Sequence, residues 1–320
     1  MGKATRVAFG EALLRIGATH SRVVVLDADL ASSVQTKKFG DAYPDRFFQC
    51  GIAEGNMVGM ATGMALCGLT PFAASFACFL TGRFEQIRMS VGYNNANVRL
   101  IGTHSGIGIG EDGYSQMGLE DIALMRSLPN MVVLQPVDCR EAERATEFLA
   151  DYVGGPAYLR LTRQNVDDVN GEGYRFEFGK GVEMRDGTDV TIVASGAVVG
   201  ESLRAAERLG KDGISAGVVN LHTIKPIDAA LLQKVAARTG RIVTVEDHGV
   251  TGGVGGAVAE ALTECPDVRV RIHGVHGYGE SGTGSDLYAK HALDEAGIAR
   301  VVQSFLREST DTPRVAAGHR

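Results

Sequence analysis

From Pro71 to Gly102 the chain reads PFAASFACFLTGRFEQIRMSVGYNNANVRLIG, and this stretch decides the fold. Its two ends, Pro71–Ser75 and Val98–Gly102, are short apolar runs of strand length. Between them, Phe79–Val91 spaces its apolar residues at helical period. Strand, helix and strand within ~30 residues make a βα unit whose strands run parallel. The pattern extends in both directions. Val23–Leu26, Met131–Gln135 and Ala157–Leu161 read as strands, and Arg6–Gly17, Ala53–Cys67, Leu119–Ser127 and Cys139–Asp151 as helices. It pauses over residues 166–187, which are rich in Asp, Asn, Gly and Glu. It resumes with strands Val190–Ala194, Ser215–Asn220, Arg241–Glu246 and Val268–His273, and helices Val198–Leu209, Asp228–Arg238, Gly256–Glu264 and Leu293–Arg307. The expected architecture is α/β, with two domains that are each a mainly parallel sheet with helices on both faces. Residues 1–165 form the first, 166–187 a linker or hairpin, and 188–308 a smaller second domain. Residues 309–320 lack periodicity and are expected to be disordered.

The 320 residues are 44% hydrophobic and 22% charged, with a net charge of −6. This composition is globular, and its sign argues against a nucleic-acid or anionic-membrane partner. No apolar run approaches the ~18 residues of a membrane span. The opening residues Met1–Arg6 lack a signal-peptide core, so a cytoplasmic location is expected. Cys50, Cys67, Cys78, Cys139 and Cys265 are irregularly spaced without a Cys-x-x-Cys pair, which suits reduced, buried thiols. The 42 glycines are about twice the usual share. They cluster after apolar runs, at Gly106, Gly108, Gly110 and Gly113 and again at Gly252, Gly253, Gly255 and Gly256.

Ligands of open parallel sheets sit at the carboxyl ends of the strands, so the loops there hold the candidate residues. Glu54 opens a helix, where a carboxylate suits the helix dipole. It has no lysine or arginine near it in sequence, which leaves it free for proton exchange if buried. Phe76 and Phe79, three apart, are either core residues or the walls of a slot for a flat ring. Thr103–Gln116 is a glycine-rich loop carrying His104, Glu111, Asp112 and Gln116. It contains neither a GxxxxGK[ST] motif nor a GxGxxG placed between strand and helix. Arg163 follows an apolar strand and is placed to grip a phosphate or carboxylate. Arg6, in Ala4-Thr5-Arg6, reads by itself as an exposed helix start. No HExxH and no Cys/His cluster points to a metal, so none is assigned to this chain.

Seven segments occur in order between about Ala4 and Arg307. They are Ala4-Thr5-Arg6, Leu26-Asp27-Ala28-Asp29, Gly51-Ile52-Ala53-Glu54-Gly55-Asn56-Met57, Phe84-Glu85-Gln86-Ile87-Arg88-Met89, Gly110-Glu111-Asp112-Gly113, Arg163-Gln164-Asn165 and Val245-Glu246-Asp247-His248. With them the chain resembles the C-terminal half of transketolases, enzymes of thiamine diphosphate. That half is a pyrimidine-binding domain followed by a smaller transketolase C-terminal domain. The resemblance implies that Glu54 meets N1′ of the cofactor's aminopyrimidine and that Phe76 and Phe79 line its ring slot, with Asp29 and Gln116 nearby. It implies catalytic roles for Glu54 and His104. It also implies a substrate clamp of Arg6, Ser33, His104, Asp112 and Arg163, with Asp112 reading a sugar hydroxyl.

The implied activity is transfer of a two-carbon ketol unit from a ketose phosphate to an aldose or aldose-phosphate acceptor. Full transketolases bind the diphosphate and its Mg²⁺ (or Ca²⁺) on a preceding domain, which implies a separate N-terminal partner subunit and an α2β2 heterotetramer. Two positions depart from the pattern. Gln116 stands where microbial relatives often carry a second histidine, and Gly82 where a larger residue walls the pocket. The alternatives are a β subunit of another thiamine-diphosphate enzyme, 2-oxo acid dehydrogenase-like or 1-deoxyxylulose-5-phosphate synthase-like, and a non-catalytic subunit that kept the fold.

Overall fold

The computed structural model describes residues 2–311. Among them the chain passes through β1 (Val23–Asp27), β2 (Phe47–Gln49), β3 (Thr70–Phe76), β4 (Arg99–Thr103), β5 (Val132–Leu134), β6 (Ala157–Arg160), β7 (Val182–Arg185), β8 (Val190–Ala194), β9 (Ala216–Asn220), β10 (Thr223–Lys225), β11 (Arg241–Gly249) and β12 (Arg269–Val275). One sheet has the order β10-β5-β6-β4-β3-β1-β2 and the other β12-β11-β8-β9-β7. Neighbours are parallel except at two edges, where β10 runs against β5 and β7 against β9. Strands β1, β4, β6, β8 and β9 are buried at every position. Helices cover both faces of such a sheet, which is why these strands read as unbroken apolar runs instead of alternating ones.

Four details differ from the sequence expectation. Strand β7 falls inside the 166–187 segment, so the end of that segment belongs to the second sheet. Strand β10 comes from the second half of the chain but completes the edge of the first sheet. The helix expected over Phe79–Val91 is broken into Ala77–Thr81, Phe84–Gln86 and a π-helical turn, Ile87–Gly92, with Gly82 just past the first piece. The last helix runs Glu295–Asp311 and is preceded by a separate helix, Gly284–Lys290. The segment expected to be disordered, 309–320, therefore begins inside that helix, and its remainder lies outside the described residues. The five cysteines are free thiols, but none is fully buried and Cys67 is exposed. No helix among the described residues is long and apolar enough to cross a membrane.

In the first sheet β1 lies between β2 and β3. The chain thus leaves β1 toward one side and returns on the other. Loops on either side of such a switch point diverge and open a crevice at the carboxyl ends of the strands.

Candidate active site

That crevice is a cavity of about 610 Å³. All ten residues singled out from the sequence line it: Arg6, Asp29, Ser33, Glu54, Phe76, Phe79, His104, Asp112, Gln116 and Arg163. Ala28, Leu30 and Ile52 also line it. The sequence reading assigned these three no role, and nothing in their apolar side chains marks them there.

Two loops meet beyond β1 and β2. Asp29 takes a left-handed backbone (φ 64°), a conformation that non-glycine residues adopt only where neighbours enforce it. Here the enforcement is a hydrogen-bond lock. The buried Asp27 carboxylate accepts from Leu30 N (2.7 Å), Thr36 Oγ1 (2.8 Å) and Gln49 Nε2 (3.1 Å). Gln49 Oε1 in turn accepts from Asp29 N (2.7 Å) and Gly51 N (3.3 Å). Asp27 and Gln49 thereby tie the loop of Asp29 to the loop that leads into Glu54. Both escaped the sequence reading, in which Asp27 appeared only as a neighbour of Asp29. Glu54 begins the helix Glu54–Leu66 and is only 6% exposed. Its carboxylate has no hydrogen-bond or ion-pair partner among the described residues.

Phe76 ends β3, and Phe79 sits in the helical turn that follows. Their rings stack on each other, with centroids 5.3 Å apart and planes 9° apart. That spacing belongs to a contacting pair, so no slot opens between them. The other face of Phe76 is covered by the His104 ring at 3.7 Å. Both rings line the cavity, with Phe79 half-buried and Phe76 buried.

His104 also has a left-handed backbone (φ 56°) and is buried just past β4. Thr103 Oγ1 lies 2.8 Å from its Nδ1 and donates its own hydrogen to Ser75 O at 3.4 Å. Nδ1 therefore carries the ring hydrogen. Nε2 keeps its lone pair and faces Arg6 Nη1, which can only donate, at 3.5 Å. Burial, reinforced by the charges of Arg6 and Arg163, lowers the His104 pKa from 6.5 to about 3. The ring is neutral throughout the physiological range. A depressed histidine pKa contributes stability above the unfolded value of 6.5 that is lost as pH falls toward 3. We expect the His104 ring signals of the native protein to show no titration step between about pH 5 and 8. A step near 6.5 in an NMR titration would remove the neutral assignment.

Arg6 donates through Nη1 to Ser33 O. It has no carboxylate partner among the described residues, and its Nε is buried without a hydrogen bond. Burial, and after it the charge of Arg163, lowers its pKa. Arg163 Nη1 donates to Ile109 O (2.7 Å) and pairs with Asp112 Oδ2 (3.2 Å), with Glu111 further off at 3.9 Å. The cavity lining thus includes two guanidinium groups, a neutral imidazole and the carboxylate that pairs with Arg163.

Comparison with known proteins matches both halves of the chain to one family. Residues 1–168 match the family model for the transketolase pyrimidine binding domain, and residues 179–298 that for the transketolase C-terminal domain. A Methanocaldococcus jannaschii protein described as a putative transketolase C-terminal section is 42% identical over 313 residues, covering 96% of this chain and 97% of that one. A Clostridium protein named as a subunit of 6-deoxy-6-sulfo-D-fructose transketolase is 38% identical over 297 residues, covering 92% of each. A solved split-gene transketolase, described as an inactive β4 tetramer, superposes with a TM-score of 0.89 at 42% identity over 96% of this chain and 99% of that one. The chain spans about half the length of the vertebrate transketolase and transketolase-like proteins that it matches.

Proposed function

The chain belongs to the transketolase family, and from that premise we propose that it is the C-terminal subunit of a split, thiamine-diphosphate-dependent transketolase. It would move a two-carbon ketol unit from a ketose phosphate to an aldose or aldose-phosphate acceptor. The observation that carries the reading is Arg6. It is a half-buried cation with an unpartnered buried Nε and no carboxylate, set beside Arg163 and the His104 lone pair. Buried charge without a counter-ion is costly, and a substrate phosphate supplies one in the geometry arginine prefers.

Thiamine diphosphate fits this chain at its pyrimidine end, where the partnerless Glu54 carboxylate would face a ring nitrogen and the half-buried Phe79 would take the ring. When bound, it supplies the nucleophilic carbon and electron sink that hold the two-carbon unit between donor and acceptor. The rest falls to the protein. Glu54 gives and takes a proton from a site shielded from water. His104 accepts a hydrogen bond from a sugar hydroxyl at Nε2, and Asp112 from another. Arg6, Ser33 and Arg163 hold the anionic end, and Asp29 and Gln116 border the cofactor. Among the described residues no group of three or more His, Cys, Asp or Glu comes together as metal ligands. The proposal gives Mg²⁺ (or Ca²⁺) and the diphosphate to a separate N-terminal subunit in an α2β2 assembly.

The clamp also defines a test. Arg6→Ala and Arg163→Ala should each raise KM for phosphorylated sugars about 10- to 150-fold, the worth of ~1.5–3 kcal/mol for a charge-assisted contact, and raise KM for unphosphorylated sugars far less. Equal losses for both classes would make the arginines structural. A sulfonate is the same kind of tetrahedral anion, and the Clostridium relative is named for a sulfosugar. Comparing a 6-phospho with a 6-sulfo ketose in the same assay tells the two substrates apart.

A further inference from the structure

The glycine-rich loop after β4 matches no phosphate motif, and the proposed chemistry uses only His104, Asp112 and Gln116 from it. Its glycines face other parts of the protein instead. Gly106 has φ 79° and lies so close to the second domain that a Cβ there would stand 2.2 Å from Asp247 Oδ2. A Cβ on Gly108 would stand 2.1 Å from Gln164 Nε2.

Asp247 lies on β11 of the second sheet and is buried. Its Oδ1 accepts from Ile107 N at 2.7 Å, and its Oδ2 from Gly108 N at 3.5 Å and Tyr288 Oη at 2.8 Å. The Tyr288 hydroxyl in turn accepts from Gln164 Nε2 at 3.1 Å. Gln164 directly follows Arg163, whose guanidinium donates to Ile109 O in the same loop. One carboxylate of the second domain therefore holds both pieces of backbone on which Arg163 depends. They are the strand end that carries the residue and the loop carbonyl that orients it. Gln164 Oε1 is buried without a partner, so among the described residues Tyr288 is the one side chain that hydrogen-bonds the Gln164 amide.

We infer that Asp247, acting with Tyr288 and Gln164, is the positioning residue through which the second domain sets Arg163 for the anionic end of the substrate. The identity of that substrate rests on the function proposed above; the contacts do not. Orientation is where the cost of loosening falls, because a displaced cation forfeits its bidentate geometry while the fold survives.

The test uses Tyr288→Phe, which removes one hydroxyl and keeps the ring, and Asp247→Asn, which sets an amide against two backbone donors. Inorganic phosphate is titrated into the full-length chain, and KM is measured in the complex with the diphosphate-binding subunit. We expect phosphate affinity to fall about tenfold in Tyr288→Phe and further in Asp247→Asn. KM for a phosphorylated ketose should rise in parallel while kcat and KM for an unphosphorylated ketose stay within about twofold. Unchanged phosphate affinity in both variants overturns the inference, whatever the activity. So does an equal rise of KM for both sugars, which would mark general loosening. If the wild-type complex turns over no ketose phosphate but the variants still lose phosphate affinity, the function fails and the positioning role stands.

Discussion

Glu54→Gln in the assembled enzyme is expected to lower turnover by about 10²- to 10⁴-fold, the usual worth of a positioned proton-transfer group, with no loss of thermal stability. The stability half of this expectation follows from the structure. Glu54 is 6% exposed and its carboxylate has no hydrogen-bond or ion-pair partner among the described residues, so the substitution breaks neither and preserves volume. The activity half follows from chemistry, since an amide of the same shape cannot take up and return a proton. Turnover within tenfold of wild type would remove Glu54 from its assigned role. Lost activity with a lowered melting temperature would instead mean that the carboxylate supports the fold through the helix Glu54–Leu66. An Asp at this position keeps the charge but shortens the reach, and partial activity in Glu54→Asp would separate charge from placement.

The purified chain alone is expected to catalyse nothing, and activity should appear on mixing with a diphosphate-binding subunit and saturate at a one-to-one ratio. The cavity offers a partnerless carboxylate and an aromatic face to one end of the cofactor. The charged end needs backbone donors and a divalent cation with oxygen ligands, which the proposal places on the partner subunit. The cavity rim also carries Ile52 at 84% exposure, an apolar residue that gains from being covered. Titrating activity against subunit ratio reads the outcome directly. Full transketolase activity from this polypeptide by itself would sink the split-enzyme proposal.

Much of the candidate site was legible because its residues stand at the ends of apolar runs. The alternation of runs and helical segments forces parallel strands, and parallel strands place Asp29, Phe76, His104 and Arg163 together at one edge of one sheet. Three of the four edge strands were illegible for the converse reason. Strands β2, β7 and β10 are short and partly exposed, and they carry too few buried positions to mark a period. The break at Gly82 was missed because the apolar spacing of Phe79–Val91 continues across it. The turn Ile87–Gly92 changes the hydrogen-bond pattern of the backbone, which side-chain periodicity does not report.

Periodicity, strand ends and motif order by themselves determined the two-sheet α/β plan and the family resemblance, and that resemblance named ten of the thirteen residues that line the cavity. The tertiary structure alone decided how those residues stand toward one another. It stacks Phe76 on Phe79 instead of parting them, turns Asp29 and His104 into left-handed backbone, and leaves Arg6 without a counter-ion among the described residues. It also explains the glycines of the Gly106–Gly113 loop, which permit close approach by Asp247, a residue 140 positions from Ile107 in sequence. The physical reason is one of range. A run of side chains records which face of a local element is buried, because burial acts on each residue separately. A hydrogen bond between a loop and a distant strand exists only once two domains have docked, and no local pattern carries the geometry of that docking.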